Sequence, residues 1–296
     1  MAKRPPLSKA SVAAVPSVHE QLGLAPGQSL ELLKALHILT REGKLNQDSR
    51  RKLKQVNHLL QFIEPLLQKV LDDPGNTSQS VTLADHGAGK SYLGFMLYDR
   101  FFQQRSSGHV YGIETRTELV ERSRELAREL GFARMSFLPL SVQAATTSTD
   151  LPPRIDVVTA LHACDTATDD AIDFALTKQA RHLVLVPCCQ AEVAAALRRH
   201  KALNPSRSPL SELWRHPLHA REFGSQVTNV LRCLRLEAHG YQVTVTELVG
   251  WEHSMKNELI LASHGATAQQ VARARDRLAQ VLQELALPEL QARFDI

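Results

Sequence analysis

The sequence predicts an α/β fold with a Rossmann-like sheet of seven strands, five of them parallel and the last two forming a terminal antiparallel pair. Short apolar segments alternate with amphipathic helical segments from residue 81 onward, which is typical of a doubly wound parallel sheet. Only a short loop separates the last two strands, and this favours their antiparallel pairing. The strands are expected at residues 81–84, 109–113, 135–138, 155–160, 182–186, 241–249 and 257–263.

Four segments are predicted along the chain. Residues 1–27 are Pro-rich and basic and are expected to form a flexible arm, although such a composition is also compatible with a transit peptide. Residues 28–75 carry apolar side chains at helical spacing and are expected to form a helical extension, with one helix at residues 30–39, a second at 56–70 and the basic segment 50–54 between them. Residues 76–265 form the α/β domain, in which residues 200–223 are expected to be irregular and a helix is expected from about residue 225 to 237. Residues 266–296 form a C-terminal helix.

Composition limits the classes of protein to which the chain can belong. Its 296 residues are 43% hydrophobic, which is enough for a sizeable core. No apolar run approaches the roughly 20 residues that a bilayer requires, so no membrane partner is expected. Four cysteines do not suggest a disulfide framework, and a cytoplasmic location follows. A net charge of +4 permits an anionic partner such as RNA, and nothing in the sequence specifies an oligomeric state.

The most informative segment is residues 81–91, Val-Thr-Leu-Ala-Asp-His-Gly-Ala-Gly-Lys-Ser. A strand ends at the acid Asp85, Gly87 and Gly89 follow, and a helix is expected to begin at Ser91. Glycines at such a turn let the backbone approach a nucleotide-like ligand. The next strand also ends in an acid, Glu114, which can accept hydrogen bonds from both hydroxyls of a ribose.

Three classes of ligand are compatible with this turn. A P-loop ends in Gly-Lys-Ser, as residues 89–91 do, but it begins with a glycine where this chain has Ala84, and Asp85 would repel phosphate. A dinucleotide-binding turn needs a third glycine where this chain has Tyr92. S-adenosyl-L-methionine has no phosphate and carries an ammonium and a sulfonium, which an acid attracts. We therefore predict S-adenosyl-L-methionine as the cofactor; a turn with a purely structural role is the alternative.

Further polar and reactive side chains follow the other predicted strands, and the carboxyl ends of parallel strands share one edge of the sheet. His162 is a candidate general base, although a hydrogen-bonded structural histidine is equally compatible. Cys164, Cys188 and Cys189 are compatible with simple burial. With His162 they are also compatible with zinc, but no Cys-x-x-Cys spacing is present, and we predict no metal. Trp251 suits either stacking on a base or packing beside the sheet.

Four motifs resemble those of a known family: Asp-His-Gly-Ala-Gly-Lys-Ser-Tyr-Leu at 85–93, Ala-Leu-His-Ala-Cys-Asp-Thr-Ala-Thr-Asp at 160–169, Val-Pro-Cys-Cys-Gln at 186–190 and Glu-His-Ser-Met-Lys-Asn at 252–257. Together they resemble the methyltransferase-domain-32 type of class I methyltransferases. That group includes the methyltransferase half of the glutathione S-transferase C-terminal-domain-containing protein. A more distant resemblance is to tRNA 2′-O-methyltransferases, where a glycine is usual at the position of Asp165 and a histidine at that of Gln190.

The resemblance implies a class I methyltransferase sheet and methyl transfer from S-adenosylmethionine, with RNA as the leading substrate. The basic segments 50–54 and 198–201 agree with RNA, although a solvated helix face would also account for the first of them. Two rival functions stay open. One is a non-catalytic scaffold with a methyltransferase fold, and the other is a P-loop-like NTPase that uses Gly89, Lys90 and Ser91.

The predicted site has catalytic and cofactor-binding members. His162 is the first candidate for the general base, and His86, Glu252 and Lys256 are candidates for orienting or activating the substrate. The predicted cofactor contacts are Asp85, His86, Gly87, Ala88, Gly89 and Glu114 beside the methionine and ribose, Ser141, Val142 and Gln143 beside the adenine, and His162.

Overall fold

The computed structural model describes residues 18–22, 24, 27–161, 165–187, 190–203, 209–248 and 258–294. Seven strands lie in this part of the chain: β1 (Thr82–His86), β2 (His109–Ile113), β3 (Met135–Leu138), β4 (Val157–Leu161), β5 (His182–Val186), β6 (Tyr241–Glu247) and β7 (Glu258–His264). They form one sheet in the order β3-β2-β1-β4-β5-β7-β6.

The directions of the strands agree with the prediction. Strands β1 to β5 pair in parallel, and β7 lies between β5 and β6 and is antiparallel to both. The predicted bounds of β2, β3 and β5 are confirmed. Strand β1 extends two residues beyond its predicted end, so Asp85 and His86 lie within the strand and not after it.

Helices cover both faces of the sheet. Leu83 and Val157 belong to one buried apolar cluster, whereas Ala84 and Val158, their neighbours in sequence, belong to another. Because successive strand residues point to opposite faces, this alternation confirms the doubly wound arrangement. The helices are α1 (Val18–Leu22), α2 (Leu30–Ala35), α3 (Gln47–Leu71), α4 (Tyr92–Leu97), α5 (Thr117–Glu129), α6 (Val142–Thr147), α7 (Ala167–Thr177), α8 (Glu192–Leu203), α9 (Pro217–Ala238), α10 (Ala268–Glu284) and α11 (Gln291–Phe294). Among these described helices, none has both the length and the apolar character to cross a bilayer.

The N-terminal helices pack on the sheet through the same cluster as Leu83, to which Leu33 of α2 and Leu60 of α3 contribute. Helix α3 is longer than predicted, because the Asn46 side chain caps it by accepting a hydrogen bond from the Ser49 N–H at 2.7 Å. The basic segment 50–54, expected between two helices, therefore occupies the first turns of α3.

Helix α2 ends at Ala35, although apolar residues continue to position 39. His37 adopts a left-handed backbone with φ of 54°, and the Ile38 N–H donates to the Leu33 carbonyl oxygen at 2.8 Å. This hydrogen bond satisfies a carbonyl at the helix end, which is why the helix stops there despite the apolar pattern.

Helix α9 begins at Pro217, well before the predicted start at residue 225. Proline is tolerated in a first helical turn because its missing N–H has no partner there in any helix. Gly224 then lets α9 approach α8 closely, since a Cβ at this position would lie 2.7 Å from the backbone of Ala194. The stretch that the sequence suggested was irregular is therefore partly a packed helix.

Candidate functional site

The turn after β1 has the backbone that its glycines predict. Gly87 and Gly89 have φ values of 63° and 57°, in the left-handed region that side chains disfavour. A Cβ on Gly87 would have no atom within 4 Å, so open space adjoins the backbone at this point. The turn can therefore receive a ligand against its main chain.

Asp85 lies buried at the end of β1, directly opposite Thr159 of β4. The Thr159 hydroxyl donates to Oδ1 of Asp85 at 2.7 Å. Burial raises the pKa of Asp85 to about 7, and the hydrogen bond from Thr159 opposes this only in part. The carboxyl therefore changes between neutral and charged near neutral pH, whereas the sequence alone suggested a full negative charge.

Glu114 lies just after β2 and accepts hydrogen bonds on both carboxylate oxygens. The Gly89 N–H donates to Oε2 at 2.9 Å, and the Arg116 guanidinium donates to Oε1 at 3.0 Å and to Oε2 at 3.2 Å. Burial alone would raise the pKa of Glu114, but these bonds outweigh it and hold the pKa at about 2. Glu114 is thus a fixed anion that ties β2 to the glycine turn.

Arg116 is a member of this site that sequence reasoning missed. Its guanidinium spans the Glu114 carboxylate, and its Nη2 lies 3.8 Å from the position of a Cβ on Gly89. The signal was available, since an arginine two residues after a strand-terminal acid can fold back onto it. The side chain is 59% exposed, so this arginine covers the turn without being locked in place.

The backbone of the turn argues against a P-loop. In a P-loop, successive N–H groups point at phosphate. Here the Ala88 N–H donates to the Ile113 carbonyl oxygen at 3.1 Å, the Gly89 N–H to Glu114, and the Ser91 N–H to the Ala88 carbonyl oxygen at 2.6 Å. Ser91 occupies the N-cap position of α4, as expected, but its side chain makes no capping hydrogen bond.

His86 lies on the opposite face of the sheet from Asp85. Its ring packs edge-on against Phe174 of α7, with ring centroids 4.2 Å apart. Both ring nitrogens are buried and have no hydrogen-bond partner among the described residues. Burial lowers the pKa of His86 to about 3, so the ring is neutral at physiological pH. Its predicted contact with cofactor or substrate stays a prediction.

Ser141, Val142 and Gln143 lie where β3 leads into α6. The Ser141 hydroxyl accepts from the Ala144 N–H at 3.2 Å and caps the helix. The Gln143 side chain lies beside Asp170 of α7, where burial raises the pKa of that carboxyl and Gln143 opposes the rise only in part. The capping of α6 holds this segment beyond the end of β3, the neighbour of β2. The predicted proximity of these residues to an adenine stays a prediction.

Several predicted members fall outside the described residues. They are His162, Cys164, Cys188, Cys189, Trp251, Glu252 and Lys256. The hypotheses that concern them, a general base at His162 and a zinc site that includes the cysteines, are therefore untested. Within the described ranges, no group of three or more His, Cys, Asp or Glu side chains is placed to hold a metal ion.

A second feature missed from the sequence is a buried polar network beside the ends of β4 and β5. Arg232 of α9 is fully buried and forms a two-pronged ion pair with Asp169, at 2.9 Å and 2.6 Å. Asp169 lies in the first turn of α7, and its carboxylate binds Arg232. Ser225, Asn229 and Arg232 recur at helical spacing on one face of α9, and this polar stripe was the available signal.

Asp165 stands where the more distantly similar tRNA 2′-O-methyltransferases are expected to have a glycine. Its φ of 50° is left-handed, a conformation that glycine adopts freely and aspartate tolerates better than most residues. The Asp165 carboxylate accepts a hydrogen bond from the Ala191 N–H at 2.9 Å. The chain thus keeps the backbone shape of a glycine position and adds a bond between the segments after β4 and β5.

Comparison with known proteins agrees with this architecture. A family model described as a methyltransferase domain matches residues 51–196. A glutathione S-transferase C-terminal domain-containing protein of Xenopus laevis is 25% identical over 240 residues, which is 75% of this chain and 36% of that protein. The chain therefore spans about a third of the length of this curated relative.

Among solved structures, the chain is similar to an rRNA methylase from Streptococcus thermophilus, with a TM-score of 0.41, 11% identity, and coverage of 69% of this chain and 95% of that one. It is also similar to magnesium protoporphyrin IX methyltransferase from Synechocystis with bound SAH, with a TM-score of 0.41, 16% identity, and coverage of 80% and 95%. The family match confirms the resemblance carried by the sequence motifs. Residues 51–196 of this chain therefore belong to the methyltransferase-domain-32 family.

Proposed function

We propose that this chain is an S-adenosylmethionine-dependent methyltransferase that acts on RNA. One observation carries the cofactor part of the proposal. Two left-handed glycines, the buried carboxyl of Asp85 and the ionised carboxylate of Glu114 meet at a single turn beside open space. The family match supports the reaction class.

The residues at the turn fit this cofactor. S-adenosylmethionine supplies an electrophilic methyl group when it is bound. Asp85 offers a carboxyl that an approaching ammonium would hold in its ionised form, because an opposite charge lowers a carboxyl pKa. Glu114 offers two carboxylate oxygens, which match the two hydroxyls of a ribose. The glycines leave the main chain open to contact.

Arg116 must yield when a ribose binds at Glu114, because its guanidinium takes up both carboxylate oxygens. The arginine side chain is largely exposed, so water can replace the hydrogen bonds that it loses. Arg116 thus acts as a removable cover over the Glu114 carboxylate. Its displacement leaves an anion that still accepts from the Gly89 and Arg116 N–H groups, and it frees the acceptor position that the guanidinium occupied on each carboxylate oxygen.

The RNA part of the proposal is supported by a basic groove along α3. Arg50, Arg51, Lys52 and Lys54 are exposed. A groove of about 500 Å³ is lined by Leu22, Arg50, Leu53, Lys54, Asn57, His58 and Gln61. Cationic and amide side chains in this arrangement suit contacts with phosphate and sugar, which position a nucleic acid without reading its sequence.

The start of α3 lies near the glycine turn. The Ser49 hydroxyl donates to the His37 carbonyl oxygen at 3.4 Å, and His37 and Lys90 line the same cavity of about 370 Å³. Arg50 directly follows Ser49. A nucleic-acid strand held along α3 can therefore extend toward the turn, which supports an RNA substrate over a small molecule.

The experiment that tests this function is transfer of labelled methyl groups from S-adenosylmethionine to total RNA and total protein from cells that lack the protein. We expect label in RNA, and about 10- to 100-fold less of it with the Glu114→Gln variant when the cofactor concentration is below saturation. Label found in protein alone would overturn the RNA assignment. Absence of label in every fraction, with retained cofactor binding, would favour a scaffold.

A further inference from the structure

The ion pair at the centre of the network around Arg232 is enclosed by protein. The Arg232 side chain has no exposed surface, and that of Asp169 is 2% exposed. Besides the ion pair with Asp169, Arg232 donates from Nη2 to the Asp165 carbonyl oxygen at 2.7 Å and from Nη1 to Oδ1 of Asn229 at 3.3 Å. One guanidinium thus holds a helix, α7, and the backbone just before it.

The network continues from Asn229 to the segment that follows β5 and to the first residue of β7. Oδ1 of Asn229 also accepts from the Gln190 side chain at 2.7 Å, and Nδ2 of Asn229 donates to Oε2 of Glu258 at 2.6 Å. The Ser225 hydroxyl donates to the Gln190 side-chain oxygen at 2.7 Å. Asn229 therefore joins two separate parts of the sheet edge to α9.

Stability alone is a weak reason for such a network. Replacing a buried ion pair by apolar side chains of similar volume is often neutral or stabilising, because burying two charges carries a large desolvation cost. The bonds of this network end instead on Asp165, Gln190 and Glu258. These are residues at or beside three of the four motifs, and the carboxyl edge of a parallel sheet is where ligands bind.

On the basis of the proposed methyltransferase function, we infer that Arg232 is a positioning residue. It fixes Asp165 at the end of the β4 segment relative to Gln190 at the end of the β5 segment. Asp165 is held from both sides, its carbonyl oxygen by Arg232 and its carboxylate by the Ala191 N–H. This clamp stabilises the left-handed backbone at Asp165, a conformation that otherwise costs free energy.

The inference predicts a separation between cofactor binding and turnover. The network makes no described contact with Gly87, Gly89 or Glu114. Loosening it should therefore leave the KM for S-adenosylmethionine within about threefold, and should lower kcat about tenfold or more, because small losses of alignment slow a reaction strongly.

The test uses the paired variant Arg232→Met/Asp169→Leu, which removes both buried charges together and leaves neither unpaired. The control is Arg235→Met on the same helix, which removes an ion pair with the half-exposed Asp173. Hydrogen–deuterium exchange of peptides that contain Asp165 or Gln190 is measured together with kcat and KM. We expect about tenfold faster exchange of these peptides in the paired variant and unchanged exchange in the control.

Each outcome decides the inference. If the paired variant folds and has the hydrogen exchange and kcat of the wild type, the inference is overturned, because the network then does not position Asp165 and Gln190. If the paired variant does not fold, Arg232→Lys replaces it, because lysine keeps the charge but cannot bind Asp169 and the Asp165 carbonyl oxygen in the same geometry. If the wild-type protein transfers no methyl group, the proposed function fails, and the exchange measurement still tests the clamp.

Discussion

The turn after β1 and the network around Arg232 both place charged groups near the carboxyl edge of one sheet, and they treat charge in opposite ways. At the turn, Glu114 is partnered by a largely exposed arginine and Asp85 titrates near neutral pH. In the network, Arg232 and Asp169 are enclosed and bind each other directly. The first arrangement can exchange partners with a ligand, and the second can only hold its neighbours.

The largest effect is expected for a loss of stability in a variant that breaks the network. Arg232→Met alone leaves Asp169 buried without its cation, and loss of one partner of a buried pair costs about 3–5 kcal/mol of unfolding free energy. Chemical denaturation measures this loss. The exposed variant Arg128→Met, whose ion pair lies on the surface of α5, is the control and should change the unfolding free energy by less than about 1 kcal/mol. Equal losses in the two variants would remove the contrast between enclosed and exposed charge.

The next largest effect is expected for cofactor affinity in a variant of the turn after β1. Glu114→Gln removes the charge that holds the Gly89 N–H and that is proposed to hold a ribose, and a hydrogen bond to a charged group contributes about 1.5–3 kcal/mol. We expect S-adenosylmethionine affinity to fall about 10- to 100-fold by calorimetry. Glu118→Gln, on the exposed side of α5, is the matched control and should bind normally. Unchanged affinity in Glu114→Gln would exclude Glu114 from the cofactor site.

A smaller effect sharpens the role of Asp85. Its pKa of about 7 lies above that of a free aspartate, so the folded protein holds a proton there that the unfolded chain releases. Stability from this group is present at low pH and is lost as the pH rises toward 7. An ammonium ligand requires the ionised form, so S-adenosylmethionine affinity should rise about tenfold from pH 6 to pH 8. Asp85→Asn should flatten both profiles, and a pH-independent wild-type affinity would contradict the assignment.

The smallest expected effect concerns the groove on α3. Arg50→Gln/Lys54→Gln removes two exposed cations, and we expect RNA affinity to fall a few-fold. The salt dependence of binding should become shallower, its slope falling by about one for each phosphate that the protein no longer neutralises. Filter binding at several salt concentrations measures both. Arg273→Gln/Arg275→Gln on α10 removes the same charge elsewhere, so equal weakening would show that only net charge matters.

Local backbone rules account for what the sequence could predict. The alternation of apolar residues set the strands, and the need for left-handed residues at Gly87 and Gly89 marked the turn, because both depend on neighbouring residues in the sequence. The prediction was wrong about where α2 ends and where α9 begins, since α2 ends earlier and α9 begins earlier than expected. The end of α2 depends on a hydrogen bond to the Leu33 carbonyl oxygen, and the course of α9 depends on packing against Ala194. Neither interaction is visible in the local pattern of residues.

For the candidate site, the sequence predicted the positions of the acids but not the properties that depend on distant residues. Asp85 and Glu114 were found by their positions at strand ends, but the pKa of Asp85 depends on burial under the fold and on Thr159, which lies 74 residues away in sequence. The partner of Arg232 lies 63 residues away, so only the polar stripe on α9 hinted at it. Long-range contacts of this kind need the tertiary structure.

The central claim is that the turn between Asp85 and Glu114 binds a cationic adenosine derivative and disfavours a phosphorylated one. Calorimetric titration of the wild-type protein with S-adenosylmethionine and, separately, with ATP tests it most directly. We predict saturable binding of S-adenosylmethionine that is weakened about 10- to 100-fold in Glu114→Gln, and no heat of binding from ATP. Tight binding of ATP with no heat from S-adenosylmethionine would contradict the account.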